Sequence, residues 1–316
     1  MKILVTGSNG FIGNKLIKSF LNAGHSVLGL DISVPVAANL IESPLYTFIQ
    51  LDLNTASIPD LKAHQIDLVV HLAIAMRPTR QQSSEELLIG THRLLHAVQV
   101  AQTPYVIGMS SLSVLDFDKA ESGSMIDEST VRCDCFDKMG RYAALKSKQE
   151  RVFLDFSDEN PVTKMVIVRP GLVYQKPDIN DAYAGIIKKK AALIALNNGH
   201  IPLVELDSLL NAIVSVVSNL HHLSTNTALH IIDDGLPNQS EYLSQLKNLP
   251  RLTIKVNWRL LSLFVQVTYS VFSLIGKQAY LPDLLKPQAF ATRLKPFIYS
   301  NQMAKNLLDW KPNQFK

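Results

Sequence analysis

Thr6-Gly7-Ser8-Asn9-Gly10-Phe11-Ile12-Gly13 is the stretch on which the reading of this chain turns. It follows a short apolar run, Ile3-Leu4-Val5, and leads into a helical pattern over residues 11–21. The glycines at 7, 10 and 13 have a G-x-x-G-x-x-G spacing, not the commoner G-x-G-x-x-G. A strand that turns sharply into a helix needs residues without side chains wherever its backbone approaches a pyrophosphate or the neighbouring strand. The phosphates then meet free N–H groups at the helix N-terminus. Glycine turns after strands are common, so position gives this one its weight. It belongs to the first strand-helix unit of the chain, and Asp31 ends the second strand 24 residues after Gly7. A carboxylate there accepts hydrogen bonds from both hydroxyls of an adenosine ribose and repels a 2′-phosphate. Residues 32–38 hold no Arg or Lys to reverse that preference. The pattern predicts NAD rather than NADP as cofactor, with Asp52 and Leu53, after the third strand, near the adenine.

Outward from this turn, apolar runs at 3–6, 26–31, 46–51, 67–72, 105–110 and 163–168 alternate with helical patterns at 11–21, 85–100 and 141–156. Continuous apolar strands separated by helices predict an α/β fold, a Rossmann-type doubly wound parallel sheet covered on both faces. Beyond Pro170 prolines punctuate helical stretches and strands are expected to be scarce. The expected organisation is therefore a dinucleotide-binding part over 1–170 and a smaller, mostly helical substrate-binding part over 171–316, interleaved with the first.

The 316 residues are 47% hydrophobic and 18% charged, a globular composition that excludes a disordered chain or a coiled coil. Lys+Arg 31 against Asp+Glu 27 leaves +4, which suits a small anionic ligand and falls short of a nucleic-acid footprint. Two cysteines, Cys133 and Cys135, form no disulfide framework, and a reducing, cytoplasmic location is expected. The start of the chain shows no secretory-signal pattern. From Leu260 to Gly276 no residue is charged, yet this run is short for a span, and Ser262, Gln266, Ser270 and Ser273 put a polar stripe along it. It is expected to be a largely buried helix or one lying over a pocket, with interfacial membrane contact through 256–276 as the alternative. Cys133-Asp134-Cys135 lacks a second ligand pair, so no metal site is expected. Lys188-Lys189-Lys190 reads as a solvated face.

Tyr142 and Lys146 stand at i and i+4, on one face of a helix. A phenol titrates near pH 10, too high for a base near neutrality, but a neighbouring ammonium and an oxidised nicotinamide both favour phenolate. The pair can then act as a general acid/base, and the lysine can hold the nicotinamide ribose. A hydroxyl that fixes the reacting oxygen is expected where the fifth strand ends, with Ser111 the first choice and Ser113 the second. Arg293 could grip a diphosphate bidentately.

Taken together these residues resemble the extended short-chain dehydrogenase/reductase superfamily, in its NAD-dependent epimerase/dehydratase branch. Further marks are His71-Leu72-Ala73, Gly90-Thr91, Ser110-Ser111, Glu150, Arg169-Pro170-Gly171-Leu172-Val173-Tyr174 and Leu308-Asp309-Trp310-Lys311-Pro312. Segments 110–114 and 231–243 resemble a bacterial sub-branch acting on nucleotide sugars for surface polysaccharides. The resemblance implies cofactor contacts at Gly7, Asn9, Gly10, Phe11, Ile12, Gly13, Asp31, Asp52, Leu53, Leu72, Ala73, Tyr142 and Lys146. Catalysis falls to Ser111, Tyr142 and Lys146, and substrate contacts to Ser113, Tyr174 and Arg293. A homodimer packed through helices of the first part is the family-like expectation.

Three departures qualify it. Leu87 stands where the family commonly has a relay Asn, Gln175 where it has Gly, and Leu115-Asp116 where it has Tyr-Gly. Leu112 and Ser113 occupy the places where 4,6-dehydratases carry an acid, so dehydration is disfavoured. The expected activity is NAD-dependent epimerisation at C4 of a UDP-hexose or UDP-N-acetylhexosamine. The rivals are a 4-keto nucleotide-sugar reductase, a hydroxysteroid-type alcohol dehydrogenase and a non-catalytic NAD-binding protein.

Overall fold

The computed structural model describes residues 1–34, 43–74, 82–179, 181–188, 190–246, 250 and 252–315. The first half runs β1 (Lys2–Thr6), α1 (Gly13–Asn22), β2 (Ser26–Asp31), β3 (Tyr46–Gln50), β4 (Leu68–His71), α2 (Ser84–Ala101), β5 (Tyr105–Met109), β6 (Met125–Ile126), α3 (Arg141–Glu159) and β7 (Lys164–Pro170). Then follow β8 (Leu172–Tyr174), β9 (Gly185–Ile187), β10 (Ala191–Leu196), β11 (Leu203–Glu205), α4 (Leu206–Asn219), β12 (Thr227–Ile231) and α5 (Gln239–Gln245). The chain closes with β13 (Leu252–Asn257), α6 (Trp258–Leu274), α7 (Pro287–Leu294), β14 (Ile298–Tyr299) and α8 (Gln302–Leu308).

Seven strands form one parallel sheet in the order β12-β7-β5-β4-β1-β2-β3. Its central strands are largely apolar because both faces are covered. Ile3, Val5, Val27 and Val70 pack with Leu16, Ile17 and Phe20 of α1 and with Leu209, Ile213 and Val216 of α4. Leu4, Leu28, Val69 and Ile167 pack on the other side with Leu94 and Val98 of α2 and Phe153 of α3. The order of strands reverses at β1 and β4, which opens a crevice at the carboxyl ends of the sheet. A capping box starts α2: Ser83 Oγ accepts from Glu86 N at 3.1 Å, and Glu86 Oε2 accepts from Ser83 N at 3.0 Å. Gly108 lets α3 close on the sheet, since a Cβ there would lie 2.6 Å from the Phe153 ring.

Two expectations need correction. Strands are not scarce beyond residue 170; β10 pairs with β13 and β9 in a second sheet, and β11 with β8 in a third. The edge strand of the main sheet, β12, and the covering helices α4 and α8 also come from beyond 170, so the stretches on either side of 170/171 share the main sheet and interleave. Nor is the uncharged helix largely buried. In α6 only Val265 and Tyr269 are buried, while Leu260, Leu263, Phe264, Val267, Val271 and Leu274 face outward. Among the described residues no helix is long and apolar enough to cross a membrane.

Candidate active site

The opening turn folds as its glycines require. Gly7 has φ +69°, and a Cβ on Gly13 would lie 2.1 Å from Gly7 O. Gly10 N donates to Gly7 O at 3.0 Å. Helix α1 begins at Gly13 without a side-chain cap or an acidic residue in its first turn. Among the described residues no acceptor takes the N–H of Phe11 or Ile12. Asp31 is clamped at the end of β2: Oδ2 accepts from Asn9 N at 2.9 Å, and Oδ1 accepts from Ser33 N and Ser33 Oγ at 2.9 and 2.8 Å. Asn9, expected to touch the cofactor, instead donates its amide to Ser33 O and is not among the residues lining the cavity. Of the cation-free stretch after Asp31, residues 35–38 lie outside the described residues.

A cavity of about 960 Å³ runs from this turn over the carboxyl ends of the strands. Gly7, Gly10, Phe11, Ile12, Gly13, Asp31, Asp52, Leu53, Leu72 and Ala73 line it, together with Ser111, Tyr142 and Lys146. Ser113, Tyr183, Thr292 and Arg293 line it as well. Tyr174 does not line it; it is 3% exposed and packs with Ile194, Leu203 and Tyr242, its ring 6.1 Å from Phe315. Gln175 and Leu115-Asp116 also lie off the cavity, whereas Leu87 lines it. Cys133 is buried, and among the described residues no group of three His, Cys, Asp or Glu could hold a metal. Lys188 and Lys190 are exposed; Lys189 lies outside the described residues.

Ser111 caps the short turn 112–114. Its Oγ accepts from Ser113 N at 3.2 Å and Ser113 Oγ at 3.0 Å, which leaves its own hydrogen to donate. Tyr142 has no hydrogen-bond partner among the described residues, and burial pushes its phenol up to about 12. Lys146 is 2% exposed, and burial pulls its ammonium down to about 7 against the opposing pull of Glu150. Its Nζ donates to Met109 O at 2.6 Å and to Gln149 Oε1 at 3.1 Å. Burial alone acts on Tyr142, so the phenol keeps its proton. Only a charge brought into the cavity would change that.

Gln149 was not anticipated. Its Nε2 donates to Thr91 Oγ1 at 3.2 Å and Ala73 O at 3.3 Å, and lies 3.3 Å from His71 Nε2. His71 Nδ1 meets Thr6 Oγ1 at 2.6 Å, and burial drives the ring down to about 3, so it is neutral. One buried chain of polar groups therefore ties Lys146 to β1, β4 and α2. The available signal was spacing, since Gln149 sits three residues after Lys146 on the same helix. A second tie comes from Glu150, fully buried, whose Oε1 and Oε2 accept from Arg169 Nη2 and Nε at 2.7 and 3.1 Å. Glu150 also accepts from Ser110 Oγ at 2.5 Å, which fixes the strand end that carries Ser111.

The model of the NAD dependent epimerase/dehydratase family matches residues 3–211. A UDP-glucose 4-epimerase of Mycolicibacterium smegmatis is 33% identical over 121 residues, 35% of this chain and 39% of that protein. A 3 beta-hydroxysteroid dehydrogenase/Delta 5-->4-isomerase of Mycobacterium tuberculosis is 26% identical over 258 residues, 77% of this chain and 64% of that one. The chain spans between 56% and 64% of the length of the first curated relatives it matches. The structure of a UDP-glucuronic acid 4-epimerase from Bacillus cereus in complex with NAD superposes with a TM-score of 0.68 at 19% identity, covering 99% of this chain and 94% of that one. That likeness shows the fold. The unpaired N–H groups of Phe11 and Ile12, the side-chain-free cradle and the Asp31 carboxylate fit a dinucleotide in the cavity.

Proposed function

The chain belongs to the NAD-dependent epimerase/dehydratase family, with NAD as its cofactor, and we propose that it is a nucleotide-sugar epimerase acting at C4 of a UDP-hexose or UDP-N-acetylhexosamine. One observation carries the reading: Ser111, Tyr142 and Lys146 share a single cavity with the glycine cradle, and Arg293 lines it too. When bound, NAD supplies oxidation at the sugar carbon and the return of those electrons to the opposite face. Tyr142 Oη exchanges the proton of the sugar hydroxyl, and Ser111 Oγ donates to that oxygen and holds it beside the phenol. Lys146, anchored by Met109 O and Gln149, places its amine where it can hold the cofactor ribose. Arg293 suits the diphosphate because a guanidinium meets phosphate oxygens in pairs. Leu112 and Ser113, both on the cavity wall, carry no carboxylate to expel water from the sugar, which favours epimerisation over dehydration. Surface-polysaccharide synthesis, a cytoplasmic location and a homodimer belong to the same reading.

The test is incubation of the purified protein with UDP- and GDP-sugars, with and without NADH. Isomerisation without added NADH is expected, and Tyr142→Phe should lower turnover by about 10²–10⁴-fold. Stoichiometric NADH consumption would point to a 4-keto sugar reductase instead. The 258-residue match to the mycobacterial dehydrogenase favours one further reading, oxidation of a hydrophobic alcohol. A steroid alcohol in the same panel, turned over with NAD while every nucleotide sugar is refused, would replace the epimerase reading.

A further inference from the structure

The outer face of α6 is apolar along its whole length. Leu260 is 64% exposed, Leu263 60%, Phe264 58%, Val267 55%, Val271 51% and Leu274 87%. These positions recur at helical spacing, so they form one continuous ridge. Leu252 and Ile254, on the edge strand β13 that leads into the helix, are exposed as well. A ridge of this extent exceeds the scattered apolar exposure normal for a protein surface. The inner face is committed elsewhere: Val265 packs with Ala195, Phe290 and Leu294, and Tyr269 Oη donates to Asp137. The helix is therefore held flat on the protein and cannot thread a bilayer, for which its 17 residues are also short.

Charge identifies the occupant. From Tyr242 to Pro282 the sequence holds no Asp or Glu, while Lys247, Arg251, Lys255, Arg259 and Lys277 all fall in that stretch. Lys255 and Arg259 are exposed at the start of the ridge and Lys277 just past its end. An apolar ridge bracketed by cations, in a stretch of chain without Asp or Glu and with the Asp137 contact on its inner side, is complementary to an anionic lipid surface. A second copy on the same ridge would bring like charges together. We propose that α6 seats this protein on the surface of an anionic bilayer, with Leu263, Phe264 and Val267 sunk at the level of the headgroups and Lys255, Arg259 and Lys277 on the phosphates. This is independent of the reaction assigned above.

Flotation of the full chain with vesicles tests it. Binding is expected to vesicles of phosphatidylcholine mixed with phosphatidylglycerol, weakening as salt is raised. Substituting Leu263, Phe264 and Val267 together by Gln should reduce partitioning at least about tenfold, with an unchanged melting temperature because all three are solvent-facing. Arg259→Gln with Lys277→Gln should reduce it about fivefold per cation, and only on the anionic vesicles. Absence of binding to either vesicle, or equal binding to phosphatidylcholine alone, would overturn the proposal. So would self-association lost in the triple variant without any vesicle binding, which would make the ridge a protein–protein contact.

Discussion

At the scale of single residues, Lys146 carries the clearest physical tension. In the folded chain it binds its proton only below about pH 7, whereas in the unfolded chain it does so up to about 10.5. Between those values the unfolded state holds more protons, so the cost of burying this group is full below pH 7 and eases as the pH rises toward 10.5. Lys146→Met should therefore melt above the parent chain near pH 6, by on the order of a few kcal/mol, and the gap should shrink toward pH 10. The same variant should lose activity at every pH, because it removes the amine that would hold the cofactor ribose. Thermal melts across pH, run beside turnover assays, check both halves. A buried lysine whose pKa is lowered this far, lining a cavity, marks a candidate functional group.

At the scale of elements, the turn between β1 and α1 and the pair between α3 and β7 hold the site. A Cβ on Gly13 would press on the carbonyl of Gly7, a backbone atom that cannot swing aside. Gly13→Ala is expected to weaken NAD binding by at least about tenfold and to destabilise the fold by roughly 1–3 kcal/mol. Fluorescence titration with NAD and urea unfolding separate the two effects. Arg169→Leu leaves Glu150 buried and without its bidentate partner, although Arg132 lies 3.6 Å away. Breaking such a pair from one side costs about 3–5 kcal/mol, which a lowered urea midpoint would register. Because Glu150 also holds Ser110, the strand end bearing Ser111 should loosen too.

At the scale of the whole molecule, acid is the expected weakness. His71 and His230 are both driven down to about 3 by burial, with Lys146 and Arg169 respectively adding to it. Between pH 3 and 6.5 the unfolded chain binds protons at these rings that the folded chain refuses, so stability falls as the pH drops through that window. The urea midpoint should decline steadily from pH 7 to pH 4, and His71→Gln should flatten the decline if its amide keeps the bonds to Thr6 and Thr91.

The alternation of strands and helices, the cradle and the Tyr142–Lys146 face could be read before any coordinates because each depends on spacing along a few neighbouring residues. Helix α6 could be recognised as a helix for the same reason, but not which of its faces is covered. The burial of Tyr174 could not be read from its own stretch, because it comes from packing with Ile194, Leu203 and Tyr242, which lie further along the chain. The proton on Tyr142, the weakly held proton on Lys146 and the bridge through Gln149 were settled only in three dimensions. Local periodicity determines which residues share an element's face. Burial, and with it the energy of every charge, depends on segments far apart in the chain coming together, and no single stretch of sequence contains that.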